Sequence, residues 1–309
     1  ALASEVEAII ADYLHAESAL LFPTGYQANL GLLSSIATRH DTILYDALVH
    51  ASIRDGLRLS AARCISFAHN NLDDLQAKLS RAAEAAWEND GRVFVVSESV
   101  FSMDGDQAPI QSLSTLALKH DAHLIIDEAH ALGVLGPGGR GKVVEAGLEA
   151  QVFARVVTFG KALGAQGAAV LGREALKQLL LNTARSQIYT TALSPLVLQL
   201  LKAGFQRLPG CEQEREHVQA LVRTFIVETA AISSSVLAQE GPMLAVIVPG
   251  NAAVQRAAEQ LQTKGFDVRP IRSPTVAKGS ERLRICLHSY NTKDDVRQLV
   301  SAIKKLLQD

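Results

Sequence analysis

Two ionisable residues define the chemistry available to this chain: Asp127, in HLIIDEAHALGVLG, and Lys161, in VVTFGKALG. Each follows a short β-branched run, Leu124–Ile126 and Val156–Thr158, apolar enough to read as a strand buried on both faces. Ligands of open α/β sheets gather beyond the carboxyl ends of the strands, so an amine and a carboxylate delivered there converge on one crevice. Pyridoxal phosphate needs an amine to bond its aldehyde, an anion to keep its ring nitrogen protonated, and donors for its phosphate. Lys161 suits the first role and Asp127 the second. The small neighbours Gly160, Ala162 and Gly164 allow a planar ring close to the backbone. A lysine held among apolar groups also loses preference for its charged form and becomes a better nucleophile.

Each residue alone has an ordinary explanation. Lysines are mostly solvated surface groups, and an Asp ending an apolar strand commonly caps the helix that follows. A rival chemistry is spelled in the same stretch. Asp127-Glu128-Ala129-His130 matches the acidic box of a nucleic-acid helicase, and Gly136-Pro137-Gly138-Gly139-Arg140-Gly141-Lys142 fits most of a phosphate-loop pattern. Val143 stands where that pattern needs Ser or Thr to reach magnesium, and the glycines follow the acidic box instead of their own strand. The nucleotide-hydrolase reading is set aside on both counts.

Composition narrows the class. The 309 residues are 48% hydrophobic and 20% charged, with a net charge of −2: a globular chain with room for one large and one small domain, and no nucleic-acid footprint. Cys64, Cys211 and Cys286 lack paired spacing, which argues against a disulfide framework or zinc site and for a reducing, cytoplasmic setting. His120 and His123 have no third ligand at metal-binding spacing, so no metal is expected. No apolar run reaches membrane-spanning length, and the first residues do not form a signal peptide.

The elements that must position the two residues follow in order. The chain opens on an amphipathic helix, with Ser4 and Glu7 as a capping box and Val6, Ile9, Ile10, Tyr13 and Leu14 on the buried face. Ala19–Phe22 reads as a strand leading through Pro23-Thr24-Gly25-Tyr26 into a helix whose first N–H groups would seat a phosphate. Strands at Thr42–Tyr45, Cys64–Phe67 and Val93–Val96 alternate with helices, and the polar run from Ser97 to Asp106 reads as a turn. This alternation predicts an α/β fold with a large, mostly parallel, doubly wound sheet. Pro209-Gly210 breaks the pattern, which places a large cofactor-binding domain at residues 1–208 and a smaller α+β domain at 209–309. Arg269, Arg272, Arg282 and Arg284 cluster in the latter, and a guanidinium fork suits a substrate carboxylate.

Together, Thr24-Gly25-Tyr26, His50-Ala51-Ser52, SESVFSMDGD, DEAHALGVLG, TFGKALG and SPTVAKGSERLRI resemble the α-oxoamine synthases, pyridoxal-phosphate enzymes of the aspartate aminotransferase fold. The resemblance covers nearly the whole chain and implies a role for each matching residue. Lys161 would carry the cofactor covalently and act as acid and base, Asp127 would pair with the pyridinium nitrogen, and His50 would stack on the ring. His130 and Ser102 would reach the phenolic oxygen. Thr24, Gly25, Tyr26 and Thr158 would line the phosphate end, with Thr191 donated by the second subunit of a homodimer. Arg284 would hold an amino-acid carboxylate, and Arg272 would sit near the acyl substrate. FAHNNLDDL and IRSPTVAKGSERLRICLHSYNT are most similar to the family's biotin-pathway branch, which implies alanine and a pimeloyl thioester, on CoA or a carrier protein, as substrates. Sister branches, which share these motifs, pair glycine with acetyl-CoA or succinyl-CoA, or serine with a palmitoyl thioester, and a non-catalytic scaffold is the remaining expectation. Family members carry some tens of residues ahead of the first helix, with a glycine-rich stretch, so the chain as it stands is expected to hold cofactor poorly.

Overall fold

The computed structural model describes residues 2–238 and 241–308. The chain divides into two compact units: the first holds the chain up to Phe101 and Gln107–Gly210, the second Ser102–Asp106 and the chain from Cys211 onward. In the first unit α1 (Leu2–Tyr13) leads to β1 (Ser18–Phe22), α2 (Gly25–Ser35), β2 (Thr42–Asp46), α3 (Ala51–Leu59), β3 (Arg63–Phe67), α4 (Leu72–Asn89) and β4 (Val93–Glu98). It continues through α5 (Ile110–Lys119), β5 (Ala122–Asp127), the single turn α6 (Lys142–Glu145), β6 (Val152–Thr158), β7 (Ala168–Gly172), α7 (Glu174–Thr183), the short α8 (Arg185–Ile188) and α9 (Pro195–Arg207). The strands lie in the order β1-β7-β6-β5-β4-β2-β3, parallel from β6 to β3 and antiparallel where β7 meets β6 and β1.

The strands are almost continuously apolar because helices cover both faces of the sheet. In β4, Phe94 and Val96 pack with Leu32 of α2 and Ile53 of α3, whereas Val93 and Val95 pack with Leu79 of α4 and Leu113 of α5. Val6, Ile10 and Phe205, from α1 and α9, cover Leu21 and Leu171 nearer the other edge. The same two-residue period sends Glu98 of β4, Asp127 of β5 and Thr158 of β6 out on the face shared with α2 and α3.

Two local expectations are corrected. Ser4 and Glu7 do not form a capping box. The helix begins ahead of Ser4, and Glu7 turns to the sheet, where one oxygen accepts from the Leu21 N–H (3.0 Å) and the other binds Lys177 (2.8 Å). Ser97 and Glu98 are not part of a turn: they extend β4 as buried residues opposite Ile126 and Asp127, because the β5 ladder runs that far.

The second unit comprises α10 (Glu212–Glu228), β8 (Val236–Ala238), β9 (Met243–Ile247), α11 (Asn251–Gln262), β10 (Arg269–Ile271), β11 (Arg282–Cys286) and α12 (Lys293–Gln308). Its antiparallel sheet, in the order β10-β11-β9-β8, turns Leu244, Val246, Leu283 and Ile285 toward Phe225, Leu261 and Ile303 of the helices. Ser102–Asp106 belongs here through an ion pair between Asp104 and the buried Arg282.

Candidate active site

Beyond the carboxyl ends of β4, β5 and β6 lies a cavity of about 480 Å³, walled by Thr24, Gly25, Tyr26, His50, Asp127, His130, Thr158 and Lys161 among others. A larger cavity, about 690 Å³, sits at the opposite ends of the strands and contains none of the expected residues. Asp127, 6% exposed, uses both oxygens: Oδ1 accepts from the Ala129 N–H at 2.8 Å, and Oδ2 accepts from the Asn29 side-chain amide at 2.8 Å. It therefore caps the turn that follows it and also presents an oriented anion to the cavity. Asn29 lies one turn into α2 and also donates to Ser52 Oγ at the start of α3 (3.0 Å), so the two helices aim the carboxylate together.

His50 caps α3. Its Nδ1 accepts from the Ser52 N–H at 3.1 Å and lies 2.7 Å from Ser52 Oγ, which fixes the ring at the cavity wall. Burial, reinforced by the Lys161 charge, holds this imidazole below the usual histidine range against the pull of Asp127. The ring is neutral near pH 7 and offers an uncharged face for stacking. Lys161 lines the same cavity but is exposed, so the apolar seat expected for it is not present. Its surroundings are instead ionisable, with its charge acting on both His50 and Glu98.

The first turn of α2 closes one end of the cavity. Thr24 is its cap, with Oγ1 accepting from the Gln27 N–H (3.1 Å), and the free N–H groups of that turn give an anion a favourable dipole. Gly25 is required by packing: a Cβ there would come within 2.3 Å of Thr158 Cγ2. Thr158 Oγ1 is buried with no hydrogen-bond partner among the described residues, an orphan donor beside the helix terminus. Tyr26 lends its ring to the wall while its hydroxyl donates to Asp55, a bond that pushes the phenol's pKa up. An orphan hydroxyl, helix N–H groups, a buried anion and an amine make a donor set that fits pyridoxal phosphate.

Some expected residues lie elsewhere. Thr191 is exposed and does not line the cavity of its own chain. Ser102, Arg272 and Arg284 belong to the second unit. Of the four clustered arginines, Arg282 is committed to Asp104 and Arg269 to Asp267 (2.9 Å). Arg272 is exposed, and Arg284 has a buried Nε with no hydrogen-bond partner among the described residues. Sequence reasoning missed the roles of Asn29, Ser52 and Glu98, all at the cavity. Glu98 carried a signal close to that of Asp127, a carboxylate separated by Ser97 alone from the β-branched run Val93–Val96.

The acidic box and glycine stretch have another explanation. Glu128, fully buried, accepts from the Val143 N–H at 3.0 Å and lies 3.7 Å from the buried Arg155 guanidinium. Gly141, at φ +93°, brings its backbone so close that a Cβ would fall 2.6 Å from the Glu128 carboxylate. The loop is wrapped around a structural ion pair. Glu128→Ala strands the Arg155 charge and is expected to cost about 3–5 kcal/mol, read from the urea midpoint of apoprotein. A loss below about 1 kcal/mol would show that the pair does not hold the loop.

A doubly wound sheet that brings an amine, a buried anion and free helix N–H groups to its carboxyl edge defines an α/β enzyme with a lysine-carboxylate site. The chain belongs to the aminotransferase class I and II family, whose model matches residues 1–303. It is 38% identical over 301 residues to the 8-amino-7-oxononanoate synthase of Marinobacter nauticus, covering 97% of this chain and 75% of that protein. Among solved structures, the 8-amino-7-oxononanoate synthase of Francisella tularensis superposes with a TM-score of 0.84 at 29% identity, covering 99% of this chain and 87% of that one. A serine palmitoyltransferase solved with pyridoxal phosphate superposes with a TM-score of 0.92 at 29% identity, covering 98% and 76%.

Proposed function

We propose that this chain is a pyridoxal-phosphate-dependent acyltransferase that condenses L-alanine with a pimeloyl thioester, on CoA or a carrier protein, to give 8-amino-7-oxononanoate for biotin synthesis. The observation that carries the reading is the convergence of Lys161, Asp127 and His50 on one cavity at the carboxyl edge of the sheet. When bound, pyridoxal phosphate supplies an electrophilic aldehyde and a protonated ring able to take up the electron pair left on the amino acid's α-carbon. Lys161 Nζ would supply the attaching amine and, as a free amine, would accept the α-proton. Asp127, aimed by Asn29 and Ala129, would keep the ring nitrogen protonated. His50, on the cavity wall, would stack on the cofactor ring, and His130 lines the same cavity. The α2 N–H groups, Gly25 and Thr158 Oγ1 would hold the phosphate. The new bond joins the α-carbon to the acyl carbonyl as the C–S bond breaks and the thiolate leaves to take up a proton from water. The α-carboxylate then departs as carbon dioxide, and the α-carbon takes back a proton, with Lys161 Nζ as the donor.

Arg284 is proposed to clamp the alanine carboxylate, Arg272 to stand near the acyl group, and Ser102 to serve the cofactor's phenolic oxygen. A reducing, cytoplasmic setting is proposed from the sequence, in which Cys64, Cys211 and Cys286 lack paired spacing. Among the described residues, no helix is long and apolar enough to cross a membrane. The deciding test incubates the protein with amino-acid and acyl-thioester pairs and identifies the ketone by mass. Alanine with pimeloyl thioester is expected to give the preferred product. Preference for glycine with acetyl-CoA or succinyl-CoA, or for serine with a long acyl-CoA, would reassign the chain to a sister activity, and no product with any pair would favour a scaffold.

A homodimer with shared sites is supported by the exposed apolar run beside Thr191, with Tyr189 and Leu196 each 72% exposed. Mixing Lys161→Ala chains with Thr191→Ala chains should restore activity above either parent as hybrid dimers form. A mixture no better than its components would show that each chain builds its site alone.

A further inference from the structure

Glu98 is a buried carboxyl, 3% exposed, that lines the cavity and sits directly beside Asp127 in the parallel ladder of β4 and β5. Neighbouring strands lie about 4.8 Å apart, and in-register residues point to the same face. Two carboxylates so placed and so buried cannot both ionise without strong repulsion. The hydrogen bonds decide which one does. Asp127 receives two donors, the Asn29 amide and the Ala129 N–H, which favour its anion. Among the described residues Glu98 receives only the His50 N–H, on Oε1, a single donor that a neutral acid's carbonyl oxygen also accepts, though less strongly than a carboxylate would.

We infer that Glu98 works as a neutral carboxylic acid, a positioning residue that anchors the His50 main chain and leaves Asp127 the sole anion at the cavity floor. The inference deepens the proposed function and rests on it for the identity of the ring that Asp127 serves. The groups facing Glu98 agree in sum. Burial, then Asp127 on β5 and Asp46 on β2, favour the neutral form, opposed by the His50 N–H ahead of α3 and by Lys161 after β6, and the outcome is a carboxyl pushed up to about 8. Anchoring the His50 backbone fixes where α3 begins and therefore where the His50 ring stands. A second anion here would also divide the ring-nitrogen proton's allegiance between two carboxylates.

Glu98→Gln retains a neutral acceptor for the His50 N–H, whereas Glu98→Ala removes it. Infrared spectra of apoprotein at pH 7 should show a protonated-carboxyl band in the parent that is missing from E98Q and that bleaches with a midpoint near pH 8. Subtracting the E98Q spectrum separates this band from any due to Glu128, whose burial also pushes its carboxyl up. Pyridoxal phosphate should bind E98Q at least tenfold more tightly than E98A, judged by absorbance titration. No band difference between parent and E98Q at pH 7 overturns the inference, as does equal cofactor affinity of E98Q and E98A. If the parent itself binds no pyridoxal phosphate, the functional reading fails, and the infrared arm alone decides the state of Glu98.

Discussion

Lys161→Ala is expected to lower turnover at least about 10³-fold and to abolish the covalent attachment of pyridoxal phosphate that borohydride fixes in the parent. A positioned acid-base group by itself contributes about 10²–10⁴-fold, and here the same amine also makes the covalent attachment. No other lysine lines the cavity among the described residues, so nothing takes its place. The side chain is exposed, and its removal should alter stability by no more than about 0.5 kcal/mol. Borohydride reduction followed by peptide mapping gives the direct readout. A label that persists in the Lys161→Ala chain, above all on Lys142, would sink the assignment.

Asp127→Asn should weaken pyridoxal-phosphate binding by about tenfold to a hundredfold and lower kcat by a further large factor. The carboxylate accepts two hydrogen bonds inside the protein while retaining its charge for the ring. An amide has one acceptor oxygen, so its NH2 must face either the Asn29 amide or the Ala129 N–H, both donors. A hydrogen bond to a charged group is worth about 1.5–3 kcal/mol, which corresponds to that range of affinity. Absorbance titration of apoprotein measures the first effect, and the separation of kcat from KM measures the second. Unchanged affinity together with unchanged kcat would mean that Asp127 only caps its turn.

The alternation of strand and helix was legible because doubly covered strands are almost wholly apolar and their ends carry the polar signal. That signal found Asp127 and should have found Glu98, yet the polar run from Ser97 to Asp106 read as one turn. The residues in fact part ways: Ser97 and Glu98 finish a buried strand, while Ser102–Asp106 joins the second unit. The seat of Lys161 was misjudged for a related reason. Its small neighbours in sequence say nothing about the ionisable groups that other elements bring to it.

The sequence by itself determined the sheet, the helix whose amino end faces the cavity, and the two residues the proposed chemistry most needs, because apolar period and strand-end position are local properties of the chain. Only the tertiary structure decided that Asn29 and Ser52 aim Asp127, that Thr158 Oγ1 near the α2 terminus has no hydrogen-bond partner among the described residues, and that Glu98 stands beside Asp127. Those facts depend on strand register and on which helix crosses which strand, and they are set by packing between segments 23 to 98 residues apart. The glycine stretch shows the same limit from the other side: a run that spells a phosphate loop becomes, once folded, the collar of a buried glutamate.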